Sequence, residues 1–522
     1  MITGGSAWNS ALATQGYLPD LYTVELAGLG PGGGALVLCS FVPSQVSGIP
    51  SGAIQAIHQD LFEGGSQNIS ELDGHSDISG FEVRFIDPTN TLKPLIPTQA
   101  MLGVDVAVKL GFWGLPYSDF VLMHTMQVLD VNVGADGVIT LGLEDPLRSQ
   151  VQKVFAWGGP NFWAPGLPTP QQPVGENWID NGQRIGSDNP LWLQGNPIDL
   201  IFAVCQNYLG YGQASSNQTS WQLYEPGVPS TLINPNPDLD VPGALALQAQ
   251  YLSGDWCSFR LIDSVPDAKS WIEREIMKPF GLYWIARASG HLALKYIHQP
   301  VTSVATIGQG QIVSQGGGIP EIKQLDIENV LTARMDTDQS QSQGNSSANA
   351  YDTTWPFYNV ASIDTYKQQR NVTFESKGLQ ADYGGLVRAQ LFFNRMSERH
   401  AFGAPTYRMR CSFGLIGLEL GDGVSVTDPV LLNMAAPGGY GVSGILCEVI
   451  DRKPLYSQGV MELLLLDTRF LGLETPFTIT PPAQTAYPGT SSSGQFFICA
   501  NGGTATNPTA NTSSVGGQCV IY

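Results

Sequence analysis

The chain has 522 residues, too long for one hydrophobic core and sized for roughly three or four domains. Its formal net charge is −20, from 25 Lys+Arg against 45 Asp+Glu, yet charged residues make only 13% of it, where about 25% is usual. The sequence has no basic run to replace nucleic-acid counterions and no stretch of the roughly 18 apolar residues that cross a bilayer, so nucleic-acid binding and stable membrane insertion are both disfavoured.

Gly 60 and Pro 35 together make about 18% of the chain, above the usual share but below the composition of disordered proteins. With 43% hydrophobic residues, turns are frequent but cores are still supported. Met1 to Gln15 lacks the basic and apolar regions of a signal peptide, which predicts synthesis as a soluble protein inside a cell. Seven cysteines are scattered without a Cys-x-x-Cys pair, so neither a disulfide framework nor a zinc ribbon is expected.

In chain order, alternating runs predict strands at Leu21 to Leu26 and Ala35 to Phe41, separated by the turn Gly28 to Gly34. Further strands are expected at Gly80 to Ile86, Val104 to Leu110, Val121 to Val131 and Val138 to Leu143, giving a β-domain over residues 1–154. Residues 155–195 are rich in Pro, Gly and Asn, with Trp157, Trp163, Trp178 and Trp192 interspersed, and read as a long irregular connection. Asn196 as N-cap and Pro197 at the first helical position begin a helix that places Ile198, Ile201, Phe202, Cys205 and Leu209 on one face before Gly210.

Ser264 with Asp267 resembles a capping box for a second helix, with Ala268, Trp271, Ile272 and Ile276 at helical spacing up to Pro279. A hairpin follows, Leu282 to Arg287 and His291 to Ile297 about the turn Ala288-Ser289-Gly290. Residues 336–350 are Ser/Gln/Asn/Asp-rich and predict a mobile loop. A third helix is expected from Gly385 to His400, burying Leu386, Ala389, Phe393 and Met396. From Thr406 the pattern is β again, through Val424 to Thr427, Gly444 to Asp451 and Val460 to Leu466. The expected division is 1–154, 155–255, 256–335, 336–474 and an extended tail 475–522, with no internal repeat visible in the sequence.

Few constellations suggest chemistry. The stretch Gly28 to Gly34 lacks the Lys-Ser/Thr of a phosphate loop and is read as a hairpin turn. There is no His-Glu-x-x-His, no Gly-x-Ser-x-Gly, and the six histidines do not pair at ligand spacing. Glu71, Asp73, His75 and Asp77 alternate like cation ligands but lack the Gly and closing Glu of an EF-hand; Asp238/Asp240 and Asp336/Asp338 are too few to fill a coordination sphere. Glu176, Asp180 and Asp188 lie among the tryptophans, the composition of a glycan-cleaving cleft, although such tryptophans more often form a small core or an interface. No catalytic, metal or cofactor site is therefore assigned.

Several motifs resemble the tail-tip or baseplate hub proteins of long-tailed bacteriophages. They are Gly195 to Ile201 ending in Asn207-Tyr208-Leu209-Gly210; Phe259-Arg260-Leu261-Ile262-Asp263; Gly281-Leu282-Tyr283-Trp284-Ile285; Gly290-His291-Leu292-Ala293-Leu294; Leu420-Gly421-Asp422-Gly423-Val424-Ser425-Val426-Thr427; and Leu466-Asp467-Thr468-Arg469-Phe470. The resemblance spans most of residues 20–470. It implies a mainly β, β-rich α+β fold with a few short helices, built as a multi-domain hub from tail-tube-like β-barrel or sandwich domains.

It also implies a non-enzymatic virion protein, usually a homotrimer, assembled in the host cytoplasm and located at the tail tip. Such a hub closes the tail tube, passes DNA through an acidic channel, and meets distal-tail, tape-measure and receptor-binding or fibre proteins. No cofactor is implied. The Trp-rich insertion and the short tail after Leu473 depart from the family pattern, so host binding is expected to fall to a separate protein. The alternatives are a receptor- or glycan-binding tail protein using Trp157, Trp163, Trp178 and Trp192, and a polysaccharide hydrolase using Glu176 or Asp180. Cys499 and Cys519 bracket a Gly/Asn/Thr segment and are either two free thiols or a disulfide formed in an oxidising environment.

Overall fold

Strand-forming alternation dominates the chain from its first turn. The computed structural model describes residues 5–14, 21–56, 80–87, 92–96, 100–134, 137–144, 191–207, 239–261, 265–287, 291–313, 321–337, 351–381, 384–436 and 439–472, with shorter pieces at 63–64, 67–70, 75–78, 90, 162–163, 209, 497–499 and 519–521. They fall in two compact units, residues 1–471 and 472–522. The fold is mainly β with a few short helices.

The first unit opens with α1 (Ser6–Thr14), whose buried Trp8 lies with its ring 4.7 Å from that of Phe112. Ten strands follow: β1 (Leu21–Leu26), β2 (Leu36–Cys39), β3 (Ile54–Gln55), β4 (Glu63–Gly64), β5 (Gln67–Ser70), β6 (His75–Ile78), β7 (Phe81–Ile86), β8 (Asp105–Gly111), β9 (Val121–Val133) and β10 (Val138–Glu144). Eight form one sheet in the order β3-β2-β1-β8-β9-β10-β7-β4. Because side chains alternate across a strand, Val106, Val108 and Leu110 share one buried face with Ile139, Leu141 and Leu143.

The middle of the chain is mixed. β11 (Phe162–Trp163) runs parallel to β12 (Leu191–Gly195), which pairs antiparallel with β13 (Cys257–Leu261). The segment read as irregular thus supplies two strands, because Leu193 alternates into a core shared with Phe259 and Leu261. In α2 (Pro197–Asn207), Asn196 Oδ1 accepts the Ile198 N–H at 3.1 Å, the expected cap, and Ile198, Ile201, Phe202 and Cys205 are buried. The unanticipated α3 (Val241–Tyr251) is capped by Asp240, which accepts the Gly243 N–H at 3.2 Å.

For α4 (Ala268–Trp271) the capping residue is Asp267, accepting the Ser270 N–H at 3.2 Å, rather than Ser264. The helix widens into a π-turn over Ile272–Met277 before α5 (Lys278–Phe280) ends at Gly281, which has φ 67°. The widened turn frees a backbone carbonyl: Glu275 O accepts the Ser376 hydroxyl at 2.6 Å, and the buried Glu275 carboxylate accepts the Lys377 N–H at 2.6 Å. The expected hairpin follows as β14 (Leu282–Ala286) and β15 (Leu292–Tyr296), with Trp284 opposite Leu294.

The remaining strands of this unit are β16 (Ala305–Ile307), β17 (Glu321–Gln324), β18 (Val330–Thr337), β19 (Tyr351–Tyr358), β20 (Asn371–Ser376), β21 (Pro405–Ser412), β22 (Gly423–Leu432), β23 (Tyr440–Leu455) and β24 (Val460–Asp467). Two helices lie among them, α6 (Val360–Tyr366) and α7 (Gly385–His400). The buried side of α7 is Arg388, Ala389, Phe392, Met396 and Arg399, so the stripe is rotated from the expected Leu386 and Phe393, which are half-buried. Ion pairing explains the rotation: Arg399 reaches the buried Glu448 carboxylate at 2.6 Å. The loop expected at 336–350 lies outside the described residues beyond Thr337.

An internal repeat that the sequence hides emerges in the strand order. Within the first sheet, β1, β4, β7, β8, β9 and β10 lie in the spatial order β1-β8-β9-β10-β7-β4; in the second, β16, β17, β21, β22, β23 and β24 lie as β16-β22-β23-β24-β21-β17. Ranked along the chain, both read first, fourth, fifth, sixth, third, second. The fifth strand, β9 or β23, is the longest in each copy, and its pairing slips by a bulge against both neighbours. One difference is that β1 meets β8 antiparallel while β16 meets β22 parallel.

The two copies share a single core, joining Val24, Val108 and Leu141 to Tyr407, Val424 and Leu463. Each carries its insertion at the same place, between its second and third strands: β5–β6 in one, β18 to α7 in the other. The β5–β6 hairpin leaves its own sheet and pairs with β23 of the other copy, Asn68 opposite Asp451 and Gln67 opposite Arg452. The second insertion builds another core with α2, α3 and β12 to β15, including Phe259, Trp271, Trp284, Phe374 and Phe392.

In the second unit, β25 (Phe497–Cys499) and β26 (Cys519–Ile521) pair antiparallel.

Candidate assembly site

Two of the motifs that carry the family resemblance, Gly281 to Ile285 and Leu420 to Thr427, meet at one joint. Tyr283, on β14, donates its hydroxyl to Leu420 O at 3.3 Å. Lys295, on the facing β15, donates to the same carbonyl at 2.7 Å and pairs with Glu419 at 3.2 Å and Asp422 at 3.3 Å. Burial would raise the Glu419 carboxyl, but the group is held below its ordinary value, with the Lys295 ammonium the largest of the opposing effects. Gly421 sits at φ 79°, and a Cβ there would lie 2.3 Å from Tyr283 Oη. Asp422 closes the turn by accepting the Glu419 N–H at 2.8 Å. This arrangement fastens the hairpin to the second repeat and offers no reacting group.

The closing motif is likewise an anchor. Asp467 is buried at the end of β24, accepts the Tyr407 hydroxyl at 2.8 Å, and receives the Arg469 guanidinium at 2.7 and 3.0 Å. Thr468 ties the turn back by donating to Leu446 O at 2.7 Å.

Between the two repeats lies a buried polar junction. His124 Nε2, on β9, is 2.6 Å from the Tyr456 hydroxyl, just past the end of β23. Burial, and then the Arg452 charge, hold the imidazole neutral, down at about 3. Arg452 donates to Leu418 O at 2.6 Å and Ile416 O at 3.2 Å. The β5–β6 hairpin adds a tie, Gln67 donating to Ala286 O at 3.1 Å.

Of the sequence candidates, Trp163 stands in β11 opposite Gln194, and Trp192 in β12 opposite Arg260. Trp157 and Trp178, like Glu176, Asp180 and Asp188, lie outside the described residues, as do Glu71 and Asp73. Asp240 is used as a helix cap and pairs with Arg287 at 2.9 Å. Asp336 accepts the Thr353 hydroxyl at 2.6 Å and the Ala381 N–H at 3.0 Å. Among the described residues no group of His, Cys, Asp and Glu is arranged to hold a metal ion, and no helix is long and apolar enough to cross a membrane.

Two surfaces escaped the sequence reading. On the face of the first sheet away from the shared core, Glu82, Asp105 and Asp130 are exposed and Glu25 and Glu144 half-buried, against the bases Arg84 and Lys109. The passage from fourth to fifth strand of each repeat also presents aromatic surface, Trp113 in the loop of one and Tyr440 at the first residue of β23 in the other, 44% and 66% exposed. Neither surface is visible before strand order is known, because it depends on which faces the sheets turn outward.

No protein-family model matches the chain, and no curated protein does either. Solved structures similar to it include several tail proteins. A tail protein from Neisseria meningitidis MC58 matches at 12% identity, covering 86% of this chain and 98% of its own, with a TM-score of 0.41. The 43 kDa tail protein of prophage MuSo2 from Shewanella oneidensis matches at 9%, covering 87% and 100%, with a TM-score of 0.39. A prophage tail protein from Listeria monocytogenes EGD-e matches at 9%, covering 85% and 94%, with a TM-score of 0.32.

Proposed function

We propose that the chain is a structural protein of a phage virion, the hub that closes the distal end of the tail tube. The observation that carries this reading is the duplicated six-strand unit with one shared core. A ring needs equivalent building blocks, and a chain holding two of them supplies six from three copies, which favours a homotrimer. The meeting of two family-like motifs at Tyr283 and Gly421, with Lys295 beside them, supports it too, since these residues join hairpin to repeat. The five segments expected from sequence are retained as the proposed domain division.

The acidic outer face of the first sheet is proposed to line the DNA passage. Like charges there repel phosphate and withhold the counterion-release affinity that would arrest a moving duplex. Exposed aromatics at Trp113 and Tyr440 suit contacts with a second copy, or with the distal-tail, tape-measure and receptor-binding proteins expected around a hub. The protein is proposed to assemble in the host cytoplasm and to reside at the tail tip, without enzymatic activity.

Mass photometry of the purified protein, together with cryo-electron microscopy of virions, tests this reading. A ring of three chains at the tail tip is the expected result. A chain that stays monomeric at all concentrations and is missing from virions would overturn it.

A further inference from the structure

Seven cysteines leave an odd thiol in any fully paired scheme, and the structure divides them unevenly. Cys39, Cys205, Cys257, Cys411 and Cys447 are buried, and no disulfide joins them. Burial pushes the thiols of Cys39 and Cys411 up to about 12 and drives the other three higher still, so little of the reactive thiolate forms at any of the five. The remaining two stand in the second unit, where β25 and β26 set Cys499 opposite Cys519, with Ile498 opposite Val520 and Phe497 opposite Ile521.

Directly opposed residues of an antiparallel pair share a face, with Cα atoms about 4.5–5.5 Å apart. That spacing falls inside the roughly 4.4–6.8 Å window that a disulfide requires. A register one residue away would put the two cysteines on opposite faces, so the pairing is specific to this alignment.

The hairpin also needs help. Its strands have three residues each, and an isolated two-stranded ribbon is marginal in water even when longer. The sequence between them is mostly Gly, Asn, Thr and Ser, and closing any such loop costs conformational freedom. A covalent bond at the cysteine pair would remove most of that freedom from the open state.

We propose that Cys499 and Cys519 form an intramolecular disulfide that latches the terminal hairpin when the protein meets a low-molecular-weight disulfide as oxidant. In the step, one cysteine thiolate attacks the reagent and releases its first thiol. The second cysteine then attacks the mixed disulfide and releases the other. One S–S bond forms between the two Sγ atoms, the reagent's S–S bond breaks, and the two cysteine protons leave on the two released thiols.

The test uses the full chain incubated with oxidised glutathione, then blocked with iodoacetamide under native conditions. The expected result is an intact mass lower by two hydrogen atoms and, after non-reducing digestion, one linked peptide pair containing Cys499 and Cys519. Cys499→Ser should abolish the link, and Cys519→Ser combined with Val520→Cys, which moves the partner opposite Ile498, should form it several-fold more slowly. Alkylation of both thiols after oxidant treatment, glutathione adducts without a linked pair, or equal linking from position 520 would each overturn the proposal.

Discussion

The hydroxyl of Tyr283 reaches the carbonyl of Leu420 at 3.3 Å, which it can do only because position 421 has no Cβ. Gly421→Ala would force a methyl to 2.3 Å from that oxygen at a φ of 79°, and the ring is too well buried to swing away. The expected loss is about 2–4 kcal/mol in chemical denaturation, combining left-handed strain with overpacking. Adding Tyr283→Phe should recover part of it; a double variant no better than the single one would show that backbone strain alone is responsible.

The buried His124 makes the junction between repeats sensitive to acid. Its folded value, about 3, lies below the 6.5 of the free imidazole, so the unfolded chain binds the proton more readily. Stability from this group is therefore complete above pH 6.5. It is lost as pH falls towards 3, at up to about 1.4 kcal/mol per unit. Thermal melts of wild type and His124→Gln between pH 7 and pH 4 should differ in slope by about one proton; parallel curves would exclude the effect.

Arg399 and Glu448 form a buried pair, 5% and 2% exposed at the side chain. Removing one partner, as in Glu448→Ala, leaves an uncompensated charge and should cost about 3–5 kcal/mol. Replacing both by Met and Leu should recover most of that loss in urea unfolding. A single variant as stable as wild type would contradict the burial.

Trp113→Ala and Tyr440→Ala remove exposed aromatics from the passage between the fourth and fifth strands of the two repeats. Since neither ring sits in the core, melting temperatures should stay within a few degrees while oligomer formation falls at least tenfold, about 1.4 kcal/mol per subunit contact. Sedimentation velocity separates the two effects, and unchanged assembly in both variants would remove these positions from the interface.

Local pattern made part of this structure readable. The Asn196 cap, the hairpin at Leu282 to Tyr296 and the span of α7 follow from capping chemistry and periodicity that operate within a few residues. The repeat does not, because strand order depends on pairings such as Val24 with Val108 and Met409 with Leu463, which alternation alone cannot assign. For the same reason Glu25 and Asp130 could not be placed on one face from sequence, and Gly421 was recognisable only as part of a motif until Tyr283 was seen above it. Asp467 was legible only as a member of the closing motif, since the burial of a carboxylate is specified by partners far along the chain, here Tyr407.

The β5–β6 hairpin imposes an order on synthesis. β5 leaves the ribosome early, but the strand it borders, β23, does not exist until residue 455 has been made. At about 5–20 residues per second, an unpaired strand edge then waits for tens of seconds, open to strands from other chains. The tie between the two repeats at Asn68 and Asp451 is therefore among the last contacts that a growing chain can complete.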